Sequence, residues 1–314
     1  MKKEGLMMIE VKNLEKSYNG FKVLKSIDFR VEKGEVFGFL GKNGAGKTTT
    51  MNILTGLIDF DEGEVRIAGR DIRQHKGQLR KIIGYLPENP VFYDYLSGEE
   101  YLKFVGEVSG YDKKETERRV GGLLEQVNLE DARKRRIGGY SRGMKQRLAL
   151  AVALFNHPRL LFLDEPTSAL DPEGRRKIIE LIEGFKESKI TVFLSTHILG
   201  DAERVCNKLS ILNEGKIILC RDMEELKEDY ILPVYDIILE REPGDLSDLE
   251  AEDWVEGIKI NGRQLSIYLG EMERGKKELL GYLARKRITV ESLQIRRNTL
   301  EDIFIRMVNK DEQF

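Results

Sequence analysis

The stretch Val36-Phe37-Gly38-Phe39-Leu40-Gly41-Lys42-Asn43-Gly44-Ala45-Gly46-Lys47-Thr48 constrains this chain more than any other. Its apolar opening suits a short strand buried on both faces. Glycines 41, 44 and 46 follow at once, and from Lys47 to Leu54 the pattern turns helical, stopping near Gly56. Strand, glycine-rich loop and helix in this order make a cradle for a polyphosphate. The glycines let backbone N–H groups approach a highly charged anion, and the helix N-terminus adds partial positive charge. Lys47 supplies a point charge for the β- and γ-phosphates, and Thr48 a hydroxyl for Mg²⁺. The expected ligand set is Gly41, Lys42, Asn43, Gly44, Ala45, Gly46, Lys47, Thr48 and Thr49, with ATP and Mg²⁺ as cofactors. The bland alternative is a glycine-rich turn with a stray lysine, which leaves the flanking strand and helix unexplained.

Leu160-Leu161-Phe162-Leu163-Asp164-Glu165-Pro166 is the second constraint. An apolar strand here ends in two carboxylates, and ligands of open α/β sheets bind at the carboxyl ends of strands. Asp164 is expected to hold Mg²⁺, directly or through water, and Glu165 to polarise an attacking water. Alone, a strand ending in Asp-Glu reads equally well as an exposed turn. The phosphate loop upstream tips the balance.

The chain is long enough, at 314 residues, for one large α/β domain and a smaller appendage. Lys and Arg number 52 against 54 Asp and Glu, so no global charge points to nucleic acid or a membrane surface. Charged residues make up 34%, the mean hydropathy is -0.40, and no run approaches the roughly 20 apolar residues that span a bilayer. Met1–Glu10 holds only the short apolar patch Leu6–Ile9, too little for a signal peptide. Cys206 and Cys220 form no disulfide framework or metal spacing and read as small core residues.

Strand-like segments at Ile9–Asn13, Val23–Val31 and Glu35–Leu40 open the chain, with others at Glu64–Ala68 and Lys81–Leu86. Ser97 to Asn156 reads as helical, an insertion between nucleotide-binding strands. Leu160–Leu163 and Thr191–Leu194, separated by the helical Pro172–Lys186, give a βαβ rhythm and a parallel sheet. A hairpin follows at Lys208–Leu212 and Lys216–Leu219. Past about Arg221 the charge rises, and Pro233 and Pro243 fall here. Strands at Val234–Leu239, Gly257–Ile260, Leu265–Leu269 and Thr289–Ile295 and helices at Lys276–Lys286 and Leu300–Val308 suggest a separate α+β domain.

Tyr140-Ser141-Arg142-Gly143-Met144-Lys145-Gln146-Arg147 resembles the signature motif of ABC-type ATPases. Ser168-Ala169-Leu170-Asp171 resembles their D-loop, Ser195-Thr196-His197 their switch histidine, and Tyr18 stands where the family stacks an aromatic on adenine. A lone histidine after a strand is more often structural; in this motif order the switch role is expected. Two positions depart from the family. The usual Leu-Ser-Gly-Gly-Gln is altered at Tyr140, Arg142 and Met144, although Ser141 and Gly143 remain. Leu86-Pro87-Glu88-Asn89 has Glu88 where most members have Gln; it is either a charged ligand of Mg²⁺ or water, or an exposed loop carboxylate. Both departures, and the ending Asn298–Phe304, resemble the branch that pairs with separately encoded ABC-2-type permeases, drug and antibiotic exporters among them.

The resemblance implies a P-loop NTPase fold: a parallel core sheet, an antiparallel β subdomain and an inserted helical subdomain at about 88–157, all within residues 1–220. Residues 221–314 would form a small α+β accessory or dimerisation domain. It also implies catalysis by Glu165, His197 and Glu88, metal contact by Thr48, Asp164 and Glu88, and nucleotide contact by Tyr18, Ser141, Gly143 and Asp171. ATP would sit on the loop of one subunit and be closed by the signature of another, in a homodimer or a heterodimer. The subunit would lie in the cytoplasm, peripheral at the inner face of the membrane, against an integral permease. A soluble ABC-type ATPase acting on ribosomes or nucleic acid is the rival reading. The clusters Arg285-Lys286-Arg287 and Arg296-Arg297 read as a solvated face, so no nucleic acid is expected. A ligand-binding regulator is the rival for the C-terminal domain. The cargo is not encoded here.

Overall fold

The run Val36–Leu40 is a strand with every residue buried, and its surroundings show why. The computed structural model describes residues 7–168, 170–230, 233–297 and 300. The chain divides into two units, Met1–Met223 and Glu224–Phe314. The first unit begins with β1 (Met7–Tyr18), β2 (Phe21–Glu32), β3 (Val36–Leu40), α1 (Lys47–Leu54), β4 (Glu62–Ile67), β5 (Arg70–Asp71), α2 (Lys76–Leu79) and β6 (Ile83–Leu86). It continues with α3 (Gly98–Val108), α4 (Lys113–Gln126), α5 (Arg142–Leu154), β7 (Leu160–Asp164), α6 (Pro172–Glu187) and β8 (Thr191–Thr196). It closes with α7 (Leu199–Val205), β9 (Lys208–Asn213) and β10 (Lys216–Asp222); α8 (Met223–Tyr230) follows at the boundary.

Two sheets build this unit. One is six-stranded, in the order β10-β9-β3-β8-β7-β6, parallel except for the β9–β10 hairpin. The other is antiparallel, in the order β2-β1-β4-β5. The central strands β3, β7 and β8 are buried throughout, as parallel strands covered on both faces must be. Their meeting point with the second sheet is aromatic. Phe29 of β2 lies 5.7 Å from Phe37 and 5.8 Å from Phe193 between ring centroids, and Phe162 packs on Phe193 at 5.6 Å. That cluster fixes β2 beside the phosphate loop. Cys206 is buried, which pushes its thiol up to about 12, and the half-buried Cys220 packs against the same core.

The block Ser97–Asn156 resolves into three helices, α3 to α5, with a 3-10 turn at Ile137–Gly139. Local caps set their starts. Ser97 and Glu100 form a reciprocal capping box on α3, Asp112 accepts from Glu115 N–H on α4, and Ser141 caps α5. The strand expected from Lys81 starts at Ile83, because Lys81 and Ile82 donate their N–H groups to Gln78 and Leu79 in the turn that ends α2.

The second unit runs β11 (Pro233–Leu239), α9 (Ser247–Glu250), β12 (Val255–Asn261), β13 (Gln264–Leu269), α10 (Met272–Arg285) and β14 (Val290–Arg297). Its strands lie antiparallel in the order β12-β13-β11-β14, the split β-α-β arrangement. Trp254, Tyr235, Leu265 and Leu279 are among its buried core. Apart from Leu300, which is buried, the helix expected at Leu300–Val308 and the ending Asn298–Phe304 lie outside the described residues, as does Ala169. Among the described residues no helix is long and apolar enough to cross a membrane.

Candidate active site

The phosphate loop leaves β3 and turns into α1 through a residue only glycine fills easily. Gly46 takes φ +112, and a Cβ there would stand 2.7 Å from Leu24 Cδ2. Lys47 is then folded back beneath the loop. It is buried, and its Nζ donates to Gly41 O at 2.7 Å and lies 3.4 Å from Lys42 O. Thr48 is exposed at the first turn of α1, whose leading N–H groups have no acceptor within the helix.

β7 delivers the two carboxylates to the same place. Asp164 is its last residue, and Glu165 follows at φ +47, with its N–H bonded to Ser195 O at 2.9 Å. This left-handed turn aims the buried Glu165 side chain back across the sheet. Oε2 stands 2.8 Å from His197 Nδ1, and Oε1 is 3.4 Å from Lys47 Nζ, an ion pair without hydrogen-bond geometry. Asp164 is held above the usual carboxylate range, mainly by burial. The Ser195 and Thr48 hydroxyls oppose that shift, and the Glu165 and Glu88 carboxylates add to it. Tyr85 of β6 senses the same charge: burial first, then Asp164 and Glu88, push its phenol up to about 12.

Lys47, Thr48, Glu165 and His197 face one cleft of about 320 Å³, and Asp164 lies buried outside its lining. Asn43, Gly44, Gly46, Lys47, Thr48, Thr49, Glu88, Glu165 and His197 line the cleft, together with two residues outside the expected set, Val23 and Ser168. Ser168 carried a signal, since it opens the D-loop-like segment. Val23 carried none, because it arrives from the other sheet. Gly41 and Ala45 are buried beneath the loop, and Lys42 is exposed on it. The donors suit Mg²⁺, a hard cation that takes oxygen ligands and keeps several waters. Asp164 Oδ1 has no hydrogen-bond partner among the described residues, and the Thr48 hydroxyl lies beside that carboxylate. No cluster of three or more His, Cys, Asp or Glu among the described residues could hold a metal by itself.

A family model described as ABC transporter matches residues 24–168, and one described as ATP-binding protein DrrA1-3-like, C-terminal domain, matches 222–308. An uncharacterised ABC transporter ATP-binding protein of Bacillus subtilis (strain 168) is 37% identical over 304 residues, 96% of this chain and 100% of its own. The chain belongs to the ATP-binding subunits of ABC transporters. A daunorubicin resistance ATP-binding protein of Streptomyces coeruleorubidus is 31% identical, with 97% of each chain covered. Among solved structures, a dimeric ATP-binding cassette in a post-hydrolysis state, bound to ADP and phosphate, superposes with a TM-score of 0.64 at 26% identity. That match covers 69% of this chain and 99% of the other.

As an ABC subunit the chain binds ATP and is an ATPase. Its remaining family motifs lie outside the cleft lining. Tyr18 is 45% exposed at the end of β1, with Lys16 Nζ 5.3 Å from its ring centroid. Asp171 caps α6, accepting from Gly174 N–H at 3.2 Å. Ser141, exposed, caps α5 by accepting from Met144 N–H at 3.2 Å, and the half-buried Gly143 follows in the first turn. The loop from Glu88 is tied to this helix, Asp94 Oδ1 meeting Lys145 Nζ at 2.9 Å and Arg142 approaching Asn89 at 3.5 Å.

Proposed function

We propose that the subunit drives export through a separately encoded membrane permease, by closing on a second ATP-binding subunit around ATP and reopening after hydrolysis. One observation carries this reading: Lys47, Thr48, Glu165 and His197 share a cleft that the Ser141 and Gly143 end of α5 does not line. A second helix N-terminus for the γ-phosphate then comes from another subunit, with the partner's copy of Asp171 at the same junction. Similarity to a drug-resistance subunit supports export over import.

Within one cleft, the loop amides and Lys47 bind the phosphates, and Tyr18 stacks on the base. Glu165 orients the attacking water and takes its proton, while His197, already beside that carboxylate, holds it in place and meets the γ-phosphate. Thr48 and Asp164 would hold Mg²⁺, with Glu88 lining the same cleft, and the ion when bound would supply positive charge to offset that of the phosphates. Glu88 also begins the loop bonded to α5, which links the cleft to the helical insertion. Val91, Tyr93, Tyr95 and Phe104 are exposed there and offer an apolar surface to the permease at the inner face of the membrane. Residues 221–314 serve as an accessory or dimerisation domain.

The test uses Glu165→Gln, which blocks turnover. With ATP and Mg²⁺ the variant is expected to pass from monomer to dimer in size-exclusion chromatography with light scattering. A strictly monomeric protein at high concentration refutes a homodimer, and co-purification with a related subunit then identifies a heterodimer.

A further inference from the structure

Asp201 stands on α7, four residues past His197, and is 5% exposed. A buried carboxylate needs partners that replace its lost water, and Asp201 has two. Thr167 Oγ1 donates to Oδ2 at 2.6 Å, and Arg175 Nε donates to Oδ1 at 2.7 Å. Thr167 lies two residues beyond Glu165, on the segment leaving β7. Arg175 belongs to the first turn of α6, where its N–H bonds to Asp171 O at 2.9 Å. Asp201 itself donates its N–H to Ile198 O at 3.1 Å, directly after His197. One carboxylate thus joins the loops that carry Glu165, Asp171 and His197.

The packing of these helices does not require that junction. α6 is seated by Ile178, Ile179, Ile182 and Phe185, and α7 by Ala202 and Val205. The ionic half of the junction is also the accessible half, since the Arg175 side chain is 39% exposed.

We propose that Asp201 is a positioning residue for hydrolysis. It locks the Asp171 loop, which meets the partner subunit, to the loop that sets His197 against Glu165. Closure of the dimer on Asp171 is transmitted through Arg175 and Asp201 to the catalytic carboxylate, so that hydrolysis waits for closure. The inference rests on the roles given above to Glu165, His197 and Asp171.

The test compares Asp201→Asn, Arg175→Gln, their double variant and Asp201→Glu in the full-length chain. Asn keeps the size and the Thr167 contact but removes the charge opposite Arg175. Arg175→Gln breaks the same pair from a half-exposed position, and decides alone if Asp201→Asn does not fold. Displacing catalytic groups by about 1 Å costs about a hundredfold in rate, so kcat is expected to fall about ten- to a hundredfold in each single variant. The double variant falls no further, as expected of two residues acting through one contact, and Asp201→Glu recovers part of the loss. Affinity of the single subunit for a fluorescent ATP analogue stays close to wild type, while the thermal midpoint falls in Arg175→Gln, which leaves the buried Asp201 carboxylate without its ionic partner.

Wild-type kcat in both single variants overturns the inference. So does a fall of nucleotide affinity in step with kcat, the mark of a merely structural role. Lys47→Ala and Glu165→Gln are run alongside. If they keep wild-type turnover, the reading of the site itself fails; if they lose it while both Asp201→Asn and Arg175→Gln keep it, only the coupling role of Asp201 falls.

Discussion

His197 Nδ1 stands 2.8 Å from Glu165 Oε2, and the His197 backbone N–H faces the same oxygen from 3.4 Å. Two groups of one residue therefore converge on one carboxylate oxygen. The contact depends on backbone strain, because Glu165 at φ +47 occupies a region that costs a side-chain-bearing residue about 1–2 kcal/mol. The bond from its N–H to Ser195 O, one strand over and two residues before His197, holds the turn in place. β7 and β8 thus deliver acid and imidazole together.

Glu165→Gln keeps the shape of the side chain but removes the base. Steady-state ATPase activity is expected to fall by about 10²–10⁴, the usual worth of a positioned general base. ATP affinity stays near wild type or tightens, since the ion partner of Lys47 loses its charge. His197→Ala is expected to lower turnover as well, while leaving nucleotide binding intact. Activity at the wild-type rate in Glu165→Gln would refute the assignment.

Lys47→Ala tests binding rather than chemistry. The ammonium is pre-positioned by Gly41 O at 2.7 Å, so little ordering remains when phosphate arrives. Losing a charged hydrogen bond costs about 1.5–3 kcal/mol, which weakens ATP binding about ten- to a hundredfold by calorimetry. Adenosine binding, by contrast, is expected to be unchanged.

Much of the cleft was legible in the sequence because its chemistry is local. Gly41 to Thr48 and Asp164-Glu165 are contiguous segments whose composition makes little sense outside a phosphate site. Val23 was not legible: Phe29, six residues further along β2, brings it in by packing on Phe37 and Phe193, a contact between two sheets. The left-handed turn at Glu165 has no sequence signal either, since no glycine marks it. α7 is a helix of seven residues, too short for a periodic apolar face, so Asp201 reads as one more surface acid until Thr167 and Arg175 close around it. The helical insertion was legible as a block. Within it, α5 (Arg142–Leu154) was legible too, as an amphipathic helix opened by Ser141, whereas the starts of α3 and α4 rest on the caps Ser97 and Asp112, single polar residues among many.

Asp164 predicts an opposition between stability and function. Its carboxyl is held above the usual range, chiefly by burial, so the folded chain keeps a proton where the unfolded chain has released it. Stability contributed by this group therefore falls as pH rises from the ordinary carboxylate range into the raised one. Asp164→Asn is expected to raise the thermal midpoint of the nucleotide-free protein by about 2–4 °C at neutral pH, with the gain shrinking toward acid. The same variant loses most Mg²⁺-dependent turnover, as chelation with EDTA does in the wild type. A variant less stable than wild type at neutral pH would contradict the placement of this carboxylate.

Tyr140 supplies a prediction that concerns packing instead of charge. It replaces the leucine of the usual signature motif, is 6% exposed, and donates its hydroxyl to Ala132 O at 2.8 Å. The room it needs is left by Gly98, the first residue of α3, where a Cβ would stand 2.5 Å from Tyr140 Oη. Gly98 lacks a positive φ, so alanine is excluded by the tyrosine rather than by the backbone. Gly98→Ala alone is expected to destabilise the first unit by about 1–3 kcal/mol through overpacking. Tyr140→Leu alone loses the hydrogen bond and leaves Ala132 O with one partner fewer, at about 1–3 kcal/mol. Together they restore a smaller pair in the same space, so the double variant is expected to be more stable than the sum of the singles by at least about 0.5 kcal/mol. Denaturant unfolding of the four proteins in the cycle measures this directly. Additivity within about 0.3 kcal/mol would mean that the glycine and the tyrosine do not share the space, and that Gly98 answers to some other neighbour.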